Sequence, residues 1–162
     1  MFRGIKLWFT DRNYYYQRKR YVKLQKEYRK KLTKQAKEFC PWSGYYMHEM
    51  IKTMLEFYHK TYVAKDCCWS ESARLGKVEK SLEDTLQYFT FLEYIDEVET
   101  DELLTIAEKK PEFESYLADW SKEYGLEVTD KYRGYLAYSF LEKFYTERLY
   151  NSIGKHIWEW CD

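Results

Sequence analysis

Only six glycines and two prolines interrupt 162 residues, and no other feature limits the fold so strongly. An all-β domain spends turn residues at short, regular intervals, whereas long helices need few. The chain therefore predicts an all-α architecture, a bundle of five or six helices with a long basic helix at its N-terminus. Hydrophobic residues make up 45% and aromatic residues 20%, which is enough to build a core and argues against wholesale disorder. Much of that apolar content is tyrosine, with 18 copies. A tyrosine buries its ring and keeps a hydroxyl at the surface.

The length suggests one domain with an appendage, read as a basic amphipathic segment over 1–40 and a helical body over 41–162. Net charge is zero, but the total hides a division. Residues 1–38 carry 13 Lys/Arg and 3 Asp/Glu, and residues 39–162 carry 14 and 24. A split of this kind marks nucleic-acid or membrane contact, or equally attraction between two parts of one molecule. No stretch approaches the roughly 18 apolar residues that span a bilayer, and Met1-Phe2-Arg3-Gly4-Ile5-Lys6 has no signal-peptide core. Cys40, Cys67, Cys68 and Cys161 accordingly read as reduced thiols.

Ile5, Leu7 and Phe9 alternate with Lys6 and Trp8, so residues 1–10 read as a short strand or extended arm, with Asp11 or Asn13 capping the next element. Residues 13–39 predict one long helix. Tyr14, Tyr21, Leu24, Tyr28, Leu32, Ala36 and Phe39 recur at steps of 3, 4 or 7 and form one stripe. Cys40-Pro41 ends it. A second helix, about 43–63, would present Met47, Met50, Met54, Phe57 and Tyr58. After a loop at 65–69, Ser70 caps a third ending near Glu97, with Leu75, Val78, Leu82, Leu86, Phe89 and Leu92 inward. Thr100 caps a short fourth through Glu108. Pro111 opens a fifth that Gly125 stops. Thr129 caps a sixth reaching Trp160, with Tyr132, Tyr135, Leu136, Phe140, Phe144, Leu149, Ile153, Ile157 and Trp160 as core. Helices two, three and six are expected to form the centre.

Motifs that carry chemistry are sparse. Zinc sites pair Cys and His at short spacings; the adjacent Cys67-Cys68 is a poor chelating pair, and His48, His59 and His156 supply no second one. Gly-rich phosphate loops, G-x-S-x-G and H-E-x-x-H are absent from the sequence. The carboxylates Asp96, Glu97, Glu99, Asp101 and Glu102 share one solvated turn, whereas acid–base catalysis needs two acids in different environments. No cofactor and no enzymatic activity are expected. A Cys or carboxylate site that the motifs do not reveal is the third alternative.

The basic helix is the most suggestive element. Cations interleaved with aromatics can grip phosphates and stack on bases, or dock on an acidic protein. The candidate partner-binding residues are Tyr15, Arg18, Lys19, Arg20, Lys23, Lys30 and Lys34. The competing reading docks the Tyr stripe on the body and leaves the Lys/Arg face solvated, or pairs it with residues 79–127, which hold 15 acids against 4 bases. The tryptophans Trp42, Trp69, Trp120, Trp158 and Trp160 read as core, and any that are exposed as binding anchors.

Three segments carry a likeness to known proteins. One is the helix Tyr45-Tyr46-Met47-His48-Glu49-Met50-Ile51-Lys52-Thr53-Met54 with its aromatic-basic end. Another is the Trp69-Ser70-Glu71 loop leading into Leu82, Leu86 and Phe89. The third is the terminal helix Lys131–Asp162, closing on Ile157-Trp158-Glu159-Trp160-Cys161-Asp162. Over about 45–162 the chain resembles small uncharacterised helical proteins encoded by bacteriophages. Related chains often close on Trp-Trp-Asp, and here Cys161 stands in place of the second Trp. Residues 1–38 lie outside the likeness. The resemblance implies phage origin and the cytoplasm of a bacterial host. The expected function is a non-enzymatic interaction protein that binds a host or phage macromolecule, a protein in preference to nucleic acid, in one version inhibiting a host factor or defence system. The alternative is a nucleic-acid-binding accessory protein.

Overall fold

The computed structural model describes residues 2–38, 40, 44–62 and 74–161, with side chains from residue 15 onward except at a few helix ends. Six helices occur among the described residues: α1 (Phe2–Glu38), α2 (Gly44–Tyr62), α3 (Arg74–Ile95), α4 (Thr100–Glu108), α5 (Glu112–Tyr124) and α6 (Asp130–Cys161). The protein is all-helical, as the shortage of Gly and Pro requires. The 65–69 loop and the Ser70 cap fall outside the described residues, as do the side chains of Tyr14, Phe39 and Leu75. None of the six helices is long and apolar enough to cross a membrane, among the described residues.

The strand or arm expected over 1–10 is helix instead, and neither Asp11 nor Asn13 caps a helix start. Three alternating apolar residues are a weak strand signal, while each residue added to an existing helix gains a backbone hydrogen bond. The chain divides into two compact units, residues 1–86 with 156–162, and residues 87–155.

In the first unit α1 and α2 run as an antiparallel pair. Gln35 Nε2 donates to Thr53 Oγ1 at 2.9 Å near one end, and the rings of Tyr28 and Phe57 lie 5.5 Å apart further along. Thr53 and Leu55 are both buried although they point to nearly opposite sides of α2. Thr53 meets α1. The Leu55 side also carries His59, whose Nε2 lies 3.5 Å from Glu83 Oε1 of α3. With two flanks of α2 covered, Met47 and Met54 are left exposed rather than inward. Trp160 of α6 is buried in this unit.

The second unit holds a contiguous core of Ile95 from α3, Leu103 and Ala107 from α4, Phe113 and Leu117 from α5, and Leu136, Ala137, Phe140 and Leu141 from α6. Each large side chain buried there contributes about 1.5–3 kcal/mol. α4 and α5 together thus supply as many residues of this core as α6, α3 adds only Ile95, and α2 supplies none of it. α4 begins at Thr100 itself, with Glu99 as its N-cap and no side-chain capping bond. Pro111 is the N-cap of α5, and Gly125 stops that helix at φ +65°, a left-handed conformation glycine adopts without a Cβ penalty. Tyr132, Tyr135 and Ile157, expected inside, are exposed.

Candidate functional site

α1 divides lengthwise. Tyr28 is buried against α2, and Tyr21, Leu24, Leu32 and Gln35 are half-buried beside it. Ala36, expected on this stripe, is exposed, because the side chain facing α2 at the end of the helix is Gln35. At 100° per residue, Lys19, Lys23, Lys26, Lys30 and Lys37 fall on the opposite side, and all five are exposed. The result is a ridge of ammonium groups about 27 Å long.

The predicted contact residues are therefore not all brought together. Lys19, Lys23 and Lys30 share the ridge. Lys34 stands at its edge, 3.9 Å from Glu38 one turn on. Arg18 and Arg20 project to opposite flanks, since residues two apart on a helix do not share a face. Tyr15 is 62% exposed, and its ring meets that of Tyr16 edge-on at 6.1 Å. Lys26 and Lys37 join the ridge without having been among the predicted contacts, although the 4-3-4 spacing of 19, 23, 26 and 30 carries the signal for Lys26. Among the described residues, Lys19, Lys23, Lys26 and Lys30 form no ion pair, whereas Lys31 is held at 3.5 Å by Glu56 of α2. A shallow groove of about 450 Å³ runs among Tyr16, Lys19, Arg20, Val22, Lys23 and Lys26.

A second groove, about 430 Å³, follows the α1–α2 seam between Gln25, Arg29 and Leu32 on one side and Met54, Phe57 and Tyr58 on the other, with Tyr28 between them. The Lys31 and Lys60 ammonium groups lie 5.3 and 5.2 Å from the Tyr28 ring centroid. The Lys60 pKa is raised, first by the Tyr28 hydroxyl and against a smaller opposing effect of burial, with Glu56 and Glu27 adding to it. Their approach nevertheless falls short of hydrogen-bond geometry, so the buried Tyr28 hydroxyl has no partner among the described residues.

In the second unit Arg133 Nη2 bonds Glu114 Oε1 at 2.7 Å and Glu108 Oε1 at 3.2 Å, tying α6 to α5 and α4. The Arg133 pKa is raised, chiefly by Glu114. The Arg148 guanidinium lies 3.7 Å over the Phe144 ring. The Arg133 bonds join three helices, whereas Arg148 and Phe144 lie one turn apart on α6 itself. Among the described residues, no three His, Cys, Asp or Glu gather in a metal-binding arrangement. Cys40 is a free, half-exposed thiol; Cys67 and Cys68 fall outside the described residues. No family model, no curated protein and no solved structure matches this chain.

Proposed function

We propose that this protein acts by binding an acidic macromolecule along the outward face of α1, without chemistry of its own. One observation carries the reading. Lys19, Lys23, Lys26 and Lys30 form an exposed ridge with no ion pair among the described residues, on a helix whose other side is committed to α2. Leaving several like charges unneutralised costs self-repulsion, which an anionic partner removes. The exposed rings of Tyr15 and Tyr16 beside the ridge favour a protein surface, since tyrosine is enriched among binding anchors. In the phage setting that the sequence resemblance implies, the partner is a host or phage protein, and covering its acidic surface inhibits it.

A second reading rests on the same ridge. Its cations are lysines spread along one helix face, and lysines neutralise successive backbone phosphates as point charges, whatever the base sequence. That favours a nucleic-acid-binding accessory protein.

Affinity purification of the full chain from bacterial lysate, with and without nuclease, separates them. The first reading expects an acidic protein that survives nuclease and is lost with Lys23→Glu/Lys30→Glu. Capture abolished by nuclease, with retention that falls steeply with salt, transfers the assignment to nucleic acid. Capture untouched by the charge reversals removes α1 from the function.

A further inference from the structure

The second unit carries an exposed aromatic surface at the α5–α6 turn. Trp120 stands at its centre, with its ring 5.2 Å from that of Tyr124 and 6.1 Å from that of Tyr132. Tyr116, one turn before Trp120 on α5, packs its inner side against Phe140 at 5.4 Å. The Tyr116 phenol is raised in pKa by burial first and then by the charges of Tyr124, Tyr135 and Glu123, and Tyr135 follows Tyr132 by three residues on the same side of α6. Tyr135 is 68% exposed and Tyr124 58%. The turn is braced: Gly125 takes its left-handed conformation, and Ser121 Oγ donates to the Leu126 carbonyl at 2.6 Å. Asp119, Glu123, Glu127 and Asp130 are exposed within or beside the same segments.

Contiguous exposed rings of this kind mark binding surfaces, and a braced turn loses little freedom on docking. The chemistry here selects the partner. Aromatic faces attract ammonium groups, and carboxylates at the rim add charge pairing. The chain itself supplies the complement. Residues 87–155 hold 15 Asp/Glu against 8 Lys/Arg, while the remainder holds 12 against 19. The two surpluses are equal and opposite, and the cationic one is concentrated on the α1 ridge.

We propose that the Trp120–Tyr124–Tyr132–Tyr135 surface receives the lysine ridge of α1 from a second copy of this chain. The contact joins two different faces, so each copy offers one donor ridge and one acceptor surface. Self-docking covers the same lysines that an acidic macromolecule would use, so the two compete and self-association holds the ridge in reserve. The acceptor surface plays no part in the function proposed above, so either reading can fail alone.

Sedimentation velocity on the full chain at tens of micromolar tests this, at about 50 mM and about 500 mM salt. Species larger than the 20.1 kDa monomer are expected at low salt, with return to monomer at high salt. A Tyr124→Ser/Tyr135→Ser chain and a Lys23→Glu/Lys26→Glu chain are each expected to be monomeric at both. All four positions are exposed, and far-UV circular dichroism checks that each variant remains helical. Mixing the two variants is expected to restore a complex, because each keeps the face the other lacks. A wild-type monomer at low salt, association that either variant retains, or a mixture that stays monomeric overturns the proposal. The Tyr124→Ser/Tyr135→Ser chain keeps its lysate partner if only the self-contact has been removed.

Discussion

Trp160, buried near the end of α6, donates its indole N–H to Ser81 Oγ of α3 at 2.9 Å, and Ser81 Oγ lies 3.0 Å from the Val78 carbonyl, to which it donates. One hydroxyl thus satisfies a buried indole and seats the end of α6 against α3. Ser81→Ala leaves that N–H unpartnered and is expected to cost about 1–3 kcal/mol in denaturant unfolding. In a Trp160→Phe background the same substitution is expected to cost clearly less, because the donor is gone. Equal costs in the two backgrounds would contradict the pairing.

Tyr28 presents the opposite case, a buried hydroxyl with no partner among the described residues. Tyr28→Phe keeps the ring against Phe57 and between Lys31 and Lys60. It removes a buried hydroxyl that lacks a hydrogen-bond partner but also favours the Lys60 ammonium, so stability is expected to change by no more than about 1 kcal/mol in either direction. A loss larger than about 1 kcal/mol would show that the hydroxyl is satisfied in solution.

Gly134 is buried where α6 passes the start of α4, and a Cβ built there would run into Thr100 Cγ2. Gly134→Ala gains helix propensity of about 1 kcal/mol but meets that methyl, so a net loss of about 1–2 kcal/mol is expected. Thr100→Ser removes the methyl. In that background Gly134→Ala is expected to be neutral or stabilising. A loss undiminished by Thr100→Ser would place the clash elsewhere.

The Tyr138 hydroxyl donates to Asp96 Oδ1 at 2.7 Å, joining α6 to the turn after α3. That hydrogen bond, with burial second, pushes the phenol up to about 12 from its ordinary 10.0. A raised value means the fold favours the neutral phenol. Its stabilisation is complete below pH 10 and is lost as the pH rises from 10 to 12. At neutral pH Tyr138→Phe is expected to cost about 1 kcal/mol. Between pH 10 and 12 the wild type is expected to lose stability more steeply than the Phe variant, followed by thermal unfolding. Parallel pH profiles would exclude the bond.

Much of the helix plan is legible in the sequence because helix signals are local. Pro111 and Gly125 around α5 and the 3–4 spacing within α3 act through the backbone of their own few residues, and those helices end within a few residues of where these signals put them. The lysine ridge is half legible. Charge alone names Lys19, Lys23 and Lys30. Without the axis set by Tyr28, however, charge also groups the flanking Arg18 and Arg20 with them and leaves out Lys26 and Lys37.

Local chemistry along the chain is enough to dictate the all-helical class, most helix boundaries, and the burial of Leu82, Leu136, Phe140, Leu149 and Trp160. Which of several apolar stripes faces a neighbour is settled only by packing between helices. A stripe of rings or methionines is wider than the strip that one packed helix covers. Met47, Met54, Tyr132, Tyr135 and Ile157 satisfy the periodicity as well as the buried residues do, yet remain exposed. Periodicity reports which side of a helix is apolar, whereas burial depends on where other segments lie. The aromatic surface around Trp120 is made of such leftovers from α5 and α6, brought side by side by the braced turn at Gly125.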